Sequence, residues 1–116
     1  MEKELRDNPA LWSLFDVITA LRDRRECALF FRDLCTLTEL NAMAERWEVV
    51  QRLEEGAPYR QISEWTGAST ATITRIAHWL RHGEGGYRLA LDRMKRRQEA
   101  DGAAADSTDN EKRNDR

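Results

Sequence analysis

A chain of 116 residues with a formal net charge of −2 has room for one modest core and little for the elaborate loops of most enzymes. Its residues are 41% apolar and 34% charged, with two prolines and six glycines, a balance that favours helices over a sandwich or barrel. No run approaches the roughly 18–20 apolar residues of a membrane span, and Met1-Glu2-Lys3-Glu4 has no secretory pattern, so a cytoplasmic protein without a membrane partner is expected. Cys27 and Cys35 stand outside any CxxC motif and are expected to be buried thiols.

Taken in order, the helices begin at about Pro9, with Asn8 as its start signal, and the first runs to about Arg22. Leu11, Trp12, Leu14, Phe15, Val17, Ile18 and Leu21 exceed one core stripe, so this helix needs cover on more than one side, which points to a second subunit. A second helix, about Arg24 to Leu34, carries Leu29, Phe30, Phe31 and Leu34. Thr36 or Thr38 caps a third, and Thr36-Leu37-Thr38-Glu39 has capping-box spacing. Its apolar positions run from Leu40 to Leu53, and Gly56 is placed to end it.

Residues 58–81 predict two helices around a tight turn. Pro58 suits the start of the first, Ile62 and Trp65 are expected to face inward, and Gly67 sits at the break, where positive φ costs it little. Ser69 or Thr70 caps the second helix, and Ile73, Ile76, Ala77 and Leu80 form its core stripe. The opposite side shows Thr70, Ala71, Thr74, Arg75 and His78, short polar or methyl-bearing side chains with an Arg among them. Such a face suits a major groove, with hydroxyls meeting base edges and methyls meeting thymine. A helix facing only water more usually carries Lys and Glu, and three threonines cost helix propensity. Double-stranded DNA is therefore the expected partner.

Gly83-Glu84-Gly85-Gly86 stops that helix and lacks the Lys-Ser/Thr ending of a phosphate-binding loop. A last helix is expected from about Tyr87 to Gln98, giving an all-α chain of about six helices. The domain is then residues 1–97, with 98–116 a disordered, acidic tail. Charge supports the division: residues 57–97 hold eight basic and three acidic side chains, +5, and residues 98–116 hold three basic and six acidic, −3. Arg93, Lys95, Arg96 and Arg97 can touch phosphates or simply complement a helix C-terminus.

The string Gly67-Ala68-Ser69-Thr70-Ala71-Thr72-Ile73-Thr74-Arg75 resembles the recognition helix of the tryptophan-repressor superfamily. With Asp33-Leu34-Cys35-Thr36, Met43-Ala44-Glu45-Arg46, Tyr59-Arg60-Gln61-Ile62 and Gly85-Gly86-Tyr87, it is similar to the TrpR-like YerC/YecD branch more than to the tryptophan repressor itself. The likeness covers roughly residues 8–95. It implies an intertwined homodimer offering two reading heads to a two-fold symmetric operator, with half-site centres roughly 34–36 Å apart. In that arrangement Thr70, Ala71 and Thr74 face bases, Arg60 a base or phosphate, and Gln61, Thr72 and Arg75 the backbone, with Ser69 and His78 beside them. The function implied is a sequence-specific transcriptional regulator, a repressor.

The same resemblance makes Thr36, Arg46, Arg75 and Trp79 a possible effector pocket. Ile76 and Trp79 stand where that pocket needs small residues, so tryptophan is not expected as a ligand and no cofactor is expected; Trp79 reads most simply as core. His78 and His82 are four apart, a spacing that can serve a metal, but no convincing third ligand accompanies them, although Glu84 is close. They are assigned to solvent or phosphate, with no metal expected. No nucleophile–base pairing or paired carboxylates suggests an enzyme. The competing readings are a monomeric helix-turn-helix module of replication-initiator type and a protein-interaction module that does not bind DNA.

Overall fold

Asn8 opens the first long helix by accepting hydrogen bonds from the amides of Ala10 and Leu11 (3.0 and 3.3 Å), with Pro9 where a missing N–H costs nothing. In this computed structural model, which describes residues 1–114 and the side chains of residues 1–105, every element among the described residues is helical. The order is α1 Lys3–Arg6, α2 Pro9–Ala20, α3 Arg24–Leu34, α4 Leu37–Glu54, α5 Tyr59–Thr66, α6 Thr70–His82 and α7 Gly86–Asn114. No helix among the described residues is long and apolar enough to cross a membrane. Contacts divide the chain within α4 into two units, Met1–Val49 and Val50–Arg116.

In the first unit, α1 is held to α2 by the Trp12 indole N–H, which donates to the carbonyls of Leu5 and Arg6. The α2 helix stops at Ala20, short of the expected Arg22. Leu21 is extended, and the Arg22 amide donates instead to the Glu26 carboxylate (2.8 Å) while Asp23 caps α3. None of the residues of α1, α2 or α3 is buried. Phe15, Phe30 and Phe31 are half-buried, and Cys27 and Cys35 are half-buried free thiols rather than the buried ones expected, because α3 has too little cover in a single chain.

Thr36 closes the capping box of α4: its hydroxyl accepts from the Glu39 amide (3.1 Å), and the Glu39 carboxylate accepts from the Thr36 amide (3.0 Å). The backbone and then the side-chain hydrogen bond to Thr36 hold the Glu39 carboxyl below its ordinary value of 4.5. A carboxyl lowered on folding stabilises the fold above its unfolded value and loses that contribution as pH falls through the folded one. Acidification below 4.5 is therefore expected to speed amide exchange in the first turn of α4. Exchange there that is indifferent to pH, after correction for the intrinsic rate, would count against the box.

The second unit holds Val50, Ile62, Ala68, Ile73, Ile76 and Ala77 as its buried apolar residues. Gly56 ends α4 at φ +82°, with its amide on the Leu53 carbonyl and that of Ala57 on Arg52. Pro58 stands just before α5 rather than inside it. Gly67 takes φ +79° at the turn, Thr66 braces it by donating to the Ile62 carbonyl and accepting from the Ala68 amide, and Ser69 caps α6. Arg88 of α7 pairs with Glu54 of α4.

Two expectations are corrected here. Trp65, expected inward, is 50% exposed and lies under the Arg52 guanidinium, 4.8 Å from the ring centre. The chain from Gln98, expected to be disordered, continues α7 as far as Asn114, and residues 93–105 are all exposed. A lack of large apolar residues rules out burial, not backbone hydrogen bonding, and Gln98, Glu99, Ala100 and Ala103–Ala105 are good helix formers. Residues 115–116 of that expected tail lie outside the described residues.

Candidate nucleic-acid interface

The α6 helix has two unlike faces. Ile73, Ile76 and Ala77 are buried, at 0, 5 and 3% exposure, and fix the helix against its neighbours in the unit. Thr70, Ala71, Thr74, Arg75 and His78, at i, i+1, i+4, i+5 and i+8, are all exposed and share the opposite face. There is no acidic residue in α6, so nothing on that face repels a polyanion.

Its hydrogen bonds prearrange the face. Ser69 Oγ accepts from the Thr72 amide (3.1 Å) and donates to Thr72 Oγ1 (3.0 Å), and one Arg75 guanidinium nitrogen reaches the same hydroxyl at 3.5 Å. The Thr74 hydroxyl donates back to the Thr70 carbonyl (2.8 Å), which leaves its oxygen free to accept. Thr72 is half-buried, as a residue between the two faces should be. On α5, Arg60 and Gln61 are exposed; Arg60 lies 3.8 Å from Glu64, and its side chain remains 92% exposed. So loose a surface pair is worth little and yields readily to a phosphate.

The expected effector residues fall in different units. Thr36 is engaged in the α4 cap and Arg46 is exposed on α4, in the first unit; Arg75 and Trp79 are on α6, in the second. Trp79 is 56% exposed, not core as expected: it follows His78 on the outer side of α6, whereas Ile76 points in. The Arg52–Trp65 stack was missed from sequence, since Trp65 lies at helical spacing from Ile62 and reads as part of one apolar stripe.

The sequence matches the Trp repressor protein family over residues 10–95. The chain belongs to that family. It is 49% identical over 82 residues to the uncharacterized protein YerC of Bacillus subtilis strain 168, a match that covers 71% of this chain and 79% of YerC. A TrpR-like protein of Eubacterium eligens has a solved structure 38% identical to it, with a TM-score of 0.77 over 81% of this chain and 96% of the other. A second solved structure, described as a candidate Trp repressor of Staphylococcus aureus, is also 38% identical, with a TM-score of 0.75 over 82% and 96%. The TrpR-like, YerC-type family is the one that the string around Thr72-Ile73-Thr74-Arg75 resembles.

Proposed function

We propose that the protein is a cytoplasmic, homodimeric transcriptional regulator, a repressor, that reads a two-fold symmetric operator through α6. The observation that carries this reading is the exposed, acid-free Thr70/Ala71/Thr74/Arg75/His78 face on a helix whose other side is buried. In this reading Thr70, Ala71 and Thr74 meet base edges, Ser69, Thr72, Arg75 and His78 flank them, and Arg60 and Gln61 on α5 meet the backbone or a neighbouring base. Two copies turn one reading head into two, roughly 34–36 Å apart along the duplex. Free tryptophan is not the effector in this reading, since Ile76 and Trp79 stand where the resemblance calls for small residues.

Selection of bound duplexes from a random pool at moderate salt is the test. A palindromic motif is expected. Thr74→Ala should relax preference at one position of each half-site, by about 1–3 kcal/mol of discrimination. Arg60→Ala should weaken all sequences alike and lower the slope of log affinity on log salt by about one. A pool that yields no enriched sequence, with Thr74→Ala indistinguishable from the parent, would remove the operator reading. Absence of any duplex affinity at low salt would favour the protein-interaction alternative.

A further inference from the structure

Two imidazoles stand on the last turns of α6, on His78 and His82, both exposed and four residues apart. Their ring centroids are 5.1 Å apart, and the rings are tilted by 47° to each other. A zinc ion lies about 2.0–2.1 Å from a ligating imidazole nitrogen, and so about 3.2 Å from the ring centre behind it. Two imidazoles on one ion at a tetrahedral angle would therefore have centres about 5.2 Å apart. The observed spacing is that spacing, so chelation requires ring rotation but no change in the helix.

We propose that His78 and His82 form a divalent transition-metal site on α6, and that the bound ion strengthens duplex binding by offering its remaining positions to a backbone phosphate. Imidazole pairs favour zinc, nickel or copper over magnesium, which demands oxygen ligands. Among the described residues no group of three His, Cys, Asp or Glu side chains could hold a metal, so an ion on this pair keeps two positions for water. Those waters exchange, and phosphate oxygens can replace them. The ion also adds two positive charges to a helix that already lacks acids, where neutralising phosphates is the main source of affinity. His78 belongs to the face that approaches DNA, and His82 lies one turn further along. The metal site stands on its own geometry; its effect on DNA rests on the reading given above.

Calorimetry of zinc chloride into the full chain, without DNA, tests the first part. One ion per chain is expected, with His82→Ala weakening binding roughly tenfold or more and magnesium giving no heat of binding. His82 is exposed and alanine favours helix, so the variant should keep its circular dichroism. Zinc binding unchanged in His82→Ala would place the ion elsewhere, for instance on the Cys27 or Cys35 thiols, and overturn the site. A gel-shift titration tests the second part. Zinc is expected to tighten duplex binding several-fold in the parent and not in His82→Ala, each measured against its own metal-free affinity. An equal response in both, or none, would overturn the phosphate role. A chain that binds zinc through His82 but no duplex at all would instead sink the DNA reading and leave the metal site standing.

Discussion

Ile73→Ala is expected to destabilise the fold by about 2–5 kcal/mol, against about 0.5–1.5 kcal/mol for Ile73→Val, at equal protein concentration. Ile73 has no exposed surface and is one of six buried apolar residues among the described residues of the second unit, so few neighbours can close over a lost side chain. The cavity would open on the underside of the helix whose outer face carries the threonines. Thr74→Ala, one residue on and fully outward, is expected to change stability by no more than about 0.5 kcal/mol while altering sequence preference. Urea unfolding followed by circular dichroism separates the two. If Ile73→Ala and Thr74→Ala proved equally stable, the division of α6 into a buried underside and a free outer face would be wrong.

That division was legible in the sequence because each signal there is local. Gly67 is required by a φ of +79°, Ser69 by the first amides of α6, and Ile73, Ile76 and Ala77 by helical spacing. The Thr36–Glu39 box at α4 and the Asn8-Pro9 start of α2 were readable on the same grounds. What could not be read is which apolar side chains find cover within their own chain. Trp65 and Trp79 look like core by residue type, yet one lies under an arginine and the other in the open, and periodicity does not distinguish an inward stripe from a second, outward one. The length of α7 was hidden for a related reason: the pattern that locates helices is apolar recurrence, and residues 98–105 hold no large apolar side chain to recur.

The same limit, applied to the first unit, yields a second large effect. Heating at rising protein concentration is expected to raise the midpoint of unfolding, each tenfold step adding about 1.4 kcal/mol of apparent stability per dimer. The reason is that α2 and α3 bury none of their residues in one chain: Trp12 is 41% exposed, Val17 39%, Leu29 58% and Leu34 50%, with Leu37 at the start of α4 at 57%. A helix of 11 or 12 residues packed no more than half-way is marginal in water, so a second copy is expected to supply the missing cover. Leu29, Ala28, Phe31 and Leu40 line an open groove of about 530 Å³ within this unit, where a second copy's apolar side chains would fit. Leu29→Glu places a charge in that groove. It is expected to shift sedimentation from two chains towards one and to remove much of the helical signal, since an unpaired buried charge is not tolerated at such an interface. A parent that sediments as a single chain, with a midpoint constant over about a hundredfold range of concentration, would show that α2 and α3 stand without a partner and that the two-headed reading of DNA has no scaffold.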